Sequence, residues 1–499
     1  MKATLTVNKN YTVGAIDPRI YGSFIEHLGR AVYGGIYEPS HESADRDGFR
    51  QDVLSLVKRM NVPVVRYPGG NFVSGYRWED GIGPKEQRPK RMELAWEAIE
   101  TNEVGIDEFQ AWAKKAGAEV MMAVNLGTRG AEDAKNLVEY CNLDTDTHYS
   151  RMRKENGFEK PFGIKVWCLG NEMDGNWQIG SKTAEEYGKL ARETAKMMKL
   201  ADPSIELVAC GSSNYGMRTF GSWELAVLDE VYDHVDYVSM HQYYGNQKNN
   251  YYDFLSRSVH MSEFIRSVAA ICDAVKAKKH SRKSLNISFD EWNVWFHSNG
   301  ETYEKWQTGV SRLEDIYTFE DALLVGCMLM TLQNHADRVK MACLAQLVNV
   351  IAPIMTQTGG GAWAQTIFYP FAYASQNGRG VAMQTVCNCE SYLSSDKFRT
   401  PYLEHAVIHN EERREITVFA VNRSLEEDMA LDIAFENFER LQAAEHIELY
   451  ADDLKAVNTA EQETVAPAAR EIAPDQKTVI LKKHSWNMIR YTYESKNRT

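Results

Sequence analysis

The sequence predicts an α/β protein in which a (β/α)8 TIM barrel is followed by an antiparallel, jelly-roll-like β-sandwich. Two patterns support this fold class. From about residue 20 to residue 380, short apolar strand-like runs alternate with longer amphipathic helical runs. Beyond residue 380, period-two runs separated by polar turns replace that alternation. The change of pattern predicts a catalytic-type barrel over residues 15–380 and a sandwich over residues 381–499.

Eight strand-like runs account for the barrel: residues 19–27, 62–70, 119–127, 164–172, 205–213, 235–244, 285–293 and 341–350. Helical stretches lie between them, for example 49–60, 106–117, 183–202 and 319–339. This alternation favours parallel strands joined by right-handed crossovers. The count of eight favours a closed barrel, and the first strand lacks the Gly-rich phosphate turn typical of an open dinucleotide-binding sheet.

The sandwich rests on four period-two runs, at residues 414–424, 429–438, 444–451 and 477–493. The first strand-like segment of the chain, residues 1–14, is not followed by a barrel helix. Because chain termini often lie close together, we expect this segment to complete the C-terminal sandwich.

The amino-acid composition limits which partners and cofactors the protein is expected to bind. The 499 residues carry a formal net charge of −13, which argues against nucleic acid or an anionic membrane surface as a partner. No apolar run approaches the roughly 20 residues of a membrane span, and the N-terminus lacks the apolar region of a signal peptide. The eight cysteines are scattered, and the Cys387-Asn-Cys389 pair is a weak zinc signal by itself. We therefore expect a cytoplasmic protein without a metal or other cofactor.

Polar and aromatic residues collect at the ends of the predicted barrel strands, where the active sites of such barrels lie. They are Glu26, His27, Arg66, Asn71, Asn125, Asn171, Glu172, His241, Gln242, Tyr243, Tyr244, Asp290, Glu291, Trp292, Asn293, Gln346 and Asn349. Amides and carboxylates bind sugar hydroxyls, and aromatic faces pack on a sugar's C–H surface. Trp96, Trp177 and Trp295, in loops beyond strand ends, are candidate aromatic platforms. Capping of loop backbone explains Asn125 or Asn349 alone, but not the whole ring.

Other barrel chemistries fit less well. Metal catalysis would need several converging histidines, and only His27 and His241 lie at strand ends. Phosphate chemistry would need a Gly-rich loop with nearby cations, and the Gly-rich loop at residues 356–363 has no Lys or Arg close by. A serine nucleophile would need a GxSxG turn, which the sequence lacks. Glu172 and Glu291 instead end strands on opposite sides of the ring, an arrangement suited to acid/base work on a glycosidic bond. A carboxyl separation of about 5 Å would retain anomeric configuration, and roughly 6.5–9.5 Å would invert it. Strand alternation does not decide between Glu291 and its neighbour Asp290.

Longer stretches carry a family resemblance. Asn171-Glu172 after strand four, with Glu291 after strand seven, resembles the large clan of (β/α)8 retaining glycosidases. The stretches YGSFIEHLGRAVYGGIYEP, VVRYPGGNFVSGYRWEDGIGP, WCLGNEMDG, VDYVSMHQYYGN, SFDEWNVW and LAQLVNVIAPI resemble the intracellular α-L-arabinofuranosidases of glycoside hydrolase family 51. The resemblance spans essentially the whole chain, and the family's barrel and jelly-roll agree with the predicted fold.

The resemblance implies a retaining, exo-acting α-L-arabinofuranosidase with Glu172 as acid/base and Glu291 as nucleophile. It also implies that five residues bind the terminal arabinofuranose: Glu26, Asn71, Asn171, Tyr243 and Gln346. Arg66 and His241 would hold Glu291 ionised and oriented. The negative charge of Glu291 would keep Glu172 protonated until the sugar is transferred. The family is typically hexameric, and short arabinofuranosyl oligosaccharides are the expected substrates.

Two alternatives stay open at this stage. The same fold and carboxylates could act on a β-xyloside or a β-glucan, or the protein could bind carbohydrate without catalysis. The preferred linkage and the parent polysaccharide are not encoded in any recognisable pattern.

Overall fold

The computed structural model describes residues 1–494. Numbered in chain order, its strands are β1 (Lys2–Ala15), β2 (Gly22–Phe24), β3 (Val64–Tyr67), β4 (Arg91–Glu93), β5 (Ala98–Glu100), β6 (Glu119–Val124), β7 (Val166–Leu169), β8 (Glu206–Ala209), β9 (Tyr237–Tyr244), β10 (Asn286–Val294), β11 (Val339–Ala345), β12 (Ile354–Thr356), β13 (Ala362–Ala364), β14 (Val381–Cys389), β15 (Ser391–Leu393), β16 (Arg399–Pro401), β17 (Leu403–Asn410), β18 (Glu415–Asn422), β19 (Met429–Glu436), β20 (Gln442–Leu449), β21 (Pro467–Arg470), β22 (Thr478–Leu481) and β23 (Ser485–Thr492). The α-helices are α1 (Gln51–Met60), α2 (Ile106–Ala116), α3 (Ala131–Asn142), α4 (His148–Glu155), α5 (Ala184–Ala201), α6 (Ser222–Val231), α7 (Tyr251–Leu255), α8 (Arg257–Lys278), α9 (Phe319–Asn334) and α10 (Phe368–Asn377).

The centre of the molecule is a closed barrel of eight parallel strands in the order β2-β3-β6-β7-β8-β9-β10-β11. These are the eight predicted strands, so the predicted fold class is confirmed. Apolar side chains fill the barrel interior: Phe24, Val64, Met121, Ala123, Val166, Cys168, Val208, Met341, Cys343 and Ala345. Because the interior is packed, a ligand can enter only at the barrel mouth, where the loops after the strands lie.

The helices follow the predicted pattern with small shifts at their ends. Helix α5 begins after Thr183, whose side chain accepts the backbone N–H of Glu186 while the Glu186 carboxylate bonds back to Thr183. This reciprocal arrangement is a capping box, which satisfies backbone N–H groups at the start of the helix. The predicted helix 319–339 ends earlier, at Asn334, because the chain turns there and enters β11 at Val339. No helix within residues 1–494 is long and apolar enough to cross a membrane.

A second, nine-stranded sheet follows in the order β21-β20-β23-β18-β17-β14-β1-β19-β22. It folds over on itself, so that Phe435 of β19 packs against Tyr491 of β23 with ring centroids 4.8 Å apart. Strand β1 lies between β14 and β19, antiparallel to the first and parallel to the second. The sheet is therefore antiparallel except for one parallel pair. The division of the chain at residue 380 stays a prediction.

The outer face of this sheet packs on the barrel helices α9 and α10. Trp486 of β23 is 1% exposed, and its ring centroid lies 5.9 Å from that of Tyr373 in α10. In α9, a Cβ at Gly326 would lie 2.5 Å from the Trp486 ring, so a glycine is needed there for the close approach. The sandwich is thus held on the barrel by an apolar contact at the side, away from the mouth.

Candidate active site

Glu172 lies just past the end of β7, at the barrel mouth. Gly170 and Glu172 both have positive φ, 88° and 43°, a conformation that is rare for a residue with a side chain and is often found at functional sites. Oε1 of Glu172 lies 2.9 Å from Nδ1 of His241, and Oε2 accepts the indole N–H of Trp177 at 2.6 Å. The turn after β7 therefore aims a carboxylate into the mouth and holds both of its oxygens.

Glu291 lies in β10, where the strand is irregular. The pairing register shifts between Ser288 and Glu291 relative to β9, and again relative to β11. Neighbours in a regular strand point to opposite faces, but here Asp290 and Glu291 both approach Arg66. The Arg66 Nη1–H donates to Glu291 Oε1 at 2.6 Å, and Nε lies 3.8 Å from Asp290 Oδ2. The bulge explains why strand alternation did not decide between the two carboxylates.

The two glutamates face each other across His241. One carboxylate oxygen of each glutamate and one ring nitrogen of His241 all lie within 4.8 Å of one another. The side chains are nearly buried, with 11% exposed for Glu172 and 7% for Glu291. The two carboxylates therefore lie close enough to act on one bound group between them.

The protonation state of His241 follows from its neighbours. Burial acts to lower the pKa of His241, but the charge of Glu291 and hydrogen bonds to Asp290 and Glu172 outweigh it and raise the pKa to about 10. The imidazole is therefore protonated at neutral pH and donates from both nitrogens.

Glu172, His241 and Glu291 are also the one group of metal-ligating side chains that converges within residues 1–494. A protonated imidazole has no lone pair to offer a metal ion. Metal binding here would require His241 to lose its proton and its hydrogen bond to Glu172. The donor set thus favours a hydrogen-bonded carboxylate pair over a metal centre.

Three further side chains orient the carboxylates. The hydroxyl of Tyr243 donates to Glu291 Oε2 at 2.8 Å, so Glu291 receives one strong bond on each oxygen, the other coming from Arg66. The Nη2–H of Arg66 also donates to Oδ1 of Asn171 at 2.7 Å. Bonds of this kind hold the Glu291 carboxylate in one orientation. Burial acts to lower the pKa of Arg66, but the carboxylates beside it raise the pKa well above its ordinary value.

Glu26 forms the floor of the site next to Glu291. Its Oε1 accepts the backbone N–H of Phe72 and the indole N–H of Trp96, each at 2.8 Å. Its backbone N–H donates to Oε1 of Gln346 at 2.9 Å. Burial, opposed by those bonds to Oε1 and assisted by the charge of Glu291, raises the pKa of Glu26 to about 8. Glu26 is therefore largely protonated at neutral pH and can donate as well as accept a hydrogen bond.

Asn71 follows β3 and stands beside Glu26. Gly69 and Gly70 pack directly on the Glu26 carboxylate, which a Cβ at Gly70 would meet at 2.8 Å. The Asn71 side chain is half-buried and makes no hydrogen bond to any side chain or backbone group in residues 1–494. It is a free amide beside a protonated carboxyl.

Each of the three tryptophans predicted as platforms contacts a residue of the site. Trp96 donates to Glu26, and Trp177, 48% exposed, donates to Glu172. Trp295 packs edge-on against Tyr243 with ring centroids 5.4 Å apart. The sequence placed these rings near the mouth, but it did not indicate that two of them hydrogen-bond to carboxylates.

Some strand-end residues serve the scaffold instead. Asn125 accepts the backbone N–H groups of Gly127 and Thr128, and Asn349 accepts that of Thr356. Both side chains therefore cap loop backbone groups, which is the alternative explanation that the sequence offered for Asn125 and Asn349. His27 lies between Glu100 and Tyr67, with each ring nitrogen 2.8 Å from its partner.

Sequence reasoning missed two contributors. Gln178 accepts from Asn171 at 3.3 Å and donates to Ser74 at 2.5 Å, which ties the turn after β7 to the turn after β3. Asp290 was considered only as a rival to Glu291, yet it is buried and bonds to His241. Its position next to Glu291 was visible, but the bulge that turns it inward was not.

A (β/α)8 barrel with two facing glutamates at its mouth, ringed by amides and tryptophans, defines a glycoside hydrolase. Comparison with known proteins gives the family. Residues 56–260 match the model of the α-L-arabinofuranosidase 1 domain, and residues 290–485 match that of the α-L-arabinofuranosidase C-terminal domain.

Whole-length relatives agree. The chain is 56% identical over 499 residues to the intracellular exo-α-(1→5)-L-arabinofuranosidase 1 of Bacillus subtilis (strain 168), covering 99% of this chain and 100% of that protein. Two solved structures resemble this fold. One is a family 51 α-L-arabinofuranosidase from Bifidobacterium longum (TM-score 0.94, 45% identity, 98% and 99% of the two chains). The other is an arabinose complex of the Thermotoga maritima α-L-arabinofuranosidase (TM-score 0.87, 34% identity, 98% and 99% of the two chains). The chain belongs to the α-L-arabinofuranosidases of glycoside hydrolase family 51.

Proposed function

We propose that this exo-α-L-arabinofuranosidase retains anomeric configuration, with Glu291 as nucleophile and Glu172 as acid/base. One observation carries the proposal: an oxygen of Glu172 lies within 4.8 Å of an oxygen of Glu291. Retaining glycosidases need about 5–5.5 Å between the two carboxyls, whereas inverting ones need roughly 6.5–9.5 Å for the attacking water. The close spacing favours direct attack by Glu291 over attack by a water held between the carboxyls.

The first step forms a covalent intermediate. Glu291 attacks the anomeric carbon as Glu172 gives its proton to the glycosidic oxygen, and the bond between that oxygen and the anomeric carbon breaks. The Arg66 and Tyr243 bonds hold the Glu291 carboxylate oriented for attack. In the second step Glu172, now a carboxylate, removes a proton from water, which attacks the anomeric carbon and releases Glu291.

The terminal arabinofuranose would be held by the polar groups around Glu291. Glu26 offers a protonated carboxyl and Asn71 a free amide. Gln346 offers an amide whose NH2 group makes no hydrogen bond to another group in residues 1–494. Asn171 has one spare N–H for the sugar's 2-hydroxyl, an interaction that strengthens in the transition state. These groups suit a small polyhydroxylated ring and define the proposed binding set.

Arabinofuranosyl oligosaccharides are the proposed substrates. Relatives from Bacillus subtilis, Halalkalibacterium halodurans and Acetivibrio thermocellus at 56–58% identity are named exo-α-(1→5)-L-arabinofuranosidases, which favours α-(1→5)-linked arabinose. A Bifidobacterium longum relative at 47% identity is named for α-(1→6) linkages, so the linkage needs its own test. Names that include "intracellular" support a cytoplasmic location, and the hexamer implied by the family resemblance stays a prediction.

Activity on an aryl α-L-arabinofuranoside tests the roles. Glu172→Ala and Glu291→Ala should both lose most activity, whereas Glu185→Ala, an exposed glutamate on α5, should lose none. Azide should restore turnover to Glu172→Ala and yield the α-arabinosyl azide, because two displacements at the anomeric carbon retain its configuration. Formation of the β-azide from Glu172→Ala, the product of a single displacement, would assign the nucleophile to Glu172 and refute the proposal.

Substrate class is tested separately. We expect kcat/KM to be highest for the arabinofuranoside when the aryl arabinofuranoside, the aryl β-xyloside and a soluble β-glucan are compared. A preference for the xyloside or the glucan would favour the alternative specificity. Product analysis on linkage-defined arabino-oligosaccharides would then rank the linkages.

A further inference from the structure

Asp290 has no part in the chemistry proposed above, yet it lies at the centre of the site. It is 1% exposed, and its Oδ1 lies 3.0 Å from Nε2 of His241. Its Oδ2 lies 3.8 Å from both Nε of Arg66 and Sγ of Cys168. A buried carboxylate is costly unless something pairs with it, and within residues 1–494 its charged partners are His241 at 3.0 Å and, at the longer distance of 3.8 Å, Arg66.

His241 connects Asp290 to Glu172. Its Nε2 faces Asp290 at 3.0 Å, and its Nδ1 faces Glu172 Oε1 at 2.9 Å. A buried carboxylate at one ring nitrogen fixes where the imidazole carries its protons. The carboxylate at Nε2 holds one proton on that nitrogen, and its negative charge favours the imidazolium, whose second proton lies on Nδ1 and faces Glu172.

Three carboxylates face His241, and two of them change charge during the proposed reaction. Glu172 gains and loses a proton, and Glu291, 3.7 Å from Nδ1, becomes a neutral ester once it holds the sugar. The positive charge of Arg66 does not favour a second positive charge on His241. Of the three carboxylates that face His241, Asp290 is the one whose charge persists through both steps.

We propose that Asp290 is a positioning residue that acts through His241 to keep the Nδ1–H directed at Glu172. This inference rests on the proposed role of Glu172 as acid/base. When Glu172 transfers its proton to the glycosidic oxygen, the carboxylate that forms is stabilised by the waiting N–H. Without Asp290, His241 can carry a single proton on Nε2 and accept at Nδ1. Glu172 then directs its proton at His241 instead of at the leaving group.

Dependence on the leaving group tests the proposal, with Asp290→Asn as the isosteric variant. General acid catalysis contributes roughly 100-fold or more for poor leaving groups and little for a dinitrophenolate. For Asp290→Asn we expect kcat/KM on an α-(1→5)-linked arabinobiose to fall about 100-fold. On dinitrophenyl α-L-arabinofuranoside we expect a fall of less than about fivefold, because that leaving group needs no proton. An equal loss on both substrates would mark a merely structural role and overturn the proposal.

Three controls complete the design. Cys168→Ala removes the thiol that lies near Asp290 Oδ2 and leaves the charge of Asp290 in place. The leaving-group dependence of this variant should therefore equal that of the wild type. Adding Asp290→Asn to His241→Gln should cause no further change, because Asp290 acts only through His241; an additive loss in the double variant would refute the inference. Should Asp290→Asn prove unstable in thermal unfolding, Asp290→Ser removes the same charge and carries the same expectation.

Glu172→Ala serves as the reference. It should show the strongest leaving-group dependence if Glu172 is the acid. Strong dependence in Glu172→Ala with none in Asp290→Asn would overturn this inference and leave the proposed function standing. No dependence in Glu172→Ala would overturn both.

Discussion

Replacing Glu26 with Gln should stabilise the protein at high pH while weakening catalysis. Glu26 is buried, at 3% exposed, and both of its hydrogen bonds from Phe72 and Trp96 go to Oε1. A Gln side chain has the same shape and can keep both bonds on its own Oε1. The substitution therefore removes the ionisable group and leaves the packing intact.

The magnitude follows from the pKa. Burial raises the pKa of Glu26 from 4.5 to about 8, so the fold binds the proton more tightly than the unfolded chain does. Stability is then fully present below pH 4.5 and is lost as the pH rises to about 8. Since a tenfold change in proton affinity is worth about 1.4 kcal/mol, ionised Glu26 costs on the order of 4–5 kcal/mol. In a chain of this length that corresponds to roughly 4–5 °C in Tm.

Thermal unfolding at pH 5 and pH 8.5 measures this difference. Glu26→Gln should match the wild type at pH 5 and exceed it by about 4 °C at pH 8.5, whereas the exposed Glu119→Gln should show no pH-dependent difference. The same variant should lose activity on the aryl arabinofuranoside, because the Nε2 group of Gln only donates, whereas Oε2 of Glu26 can also accept a hydrogen bond from the sugar. A Tm difference of equal size at both pH values would refute the assigned pKa.

Three other changes give distinct signatures. Tyr243→Phe removes one charge-assisted bond to Glu291, worth about 1.5–3 kcal/mol, so kcat/KM should fall roughly 10- to 100-fold; unchanged kinetics would contradict the bond seen at 2.8 Å. Trp177→Phe keeps an aromatic ring but removes the N–H that holds Glu172 Oε2, a hydrogen bond worth about 0.5–1.5 kcal/mol, so kcat/KM should fall roughly 2- to 10-fold; unchanged kinetics would refute a role for this bond. Trp486→Ala empties the contact between sandwich and barrel at a cost of about 3–5 kcal/mol, which should lower Tm with kcat/KM retained at 25 °C; a large loss of activity in the folded variant would show that the contact also shapes the mouth.

The fold was accessible from the sequence because its signals are periodic and local. Each barrel strand is a short apolar run between helical runs, and the start of α5 is encoded by Thr183 and Glu186 within one turn. The parallel pairing of β1 with β19 was not accessible, because it joins residues more than 400 positions apart and no local pattern records it.

The site was predictable as a set of residue types and only partly as a geometry. Strand ends could be listed, and those ends contain every side chain that now surrounds Glu291. What could not be predicted depends on single irregularities: the positive φ of Glu172, the fold-back of Trp177 over Gly175, and the bulge of β10. Each departs from the regular geometry on which sequence patterns depend.

The β10 bulge has the largest chemical consequence. A regular strand would bring Asp290 or Glu291 into the mouth, but not both. With both turned inward, Arg66 and His241 face two carboxylates of β10 instead of one. Under the proposed mechanism the sugar is transferred to Glu291, whose carboxylate becomes a neutral ester, while Asp290 keeps its contact with His241. A local irregularity of one strand thereby supplies a carboxylate beside His241 that the proposed reaction does not consume.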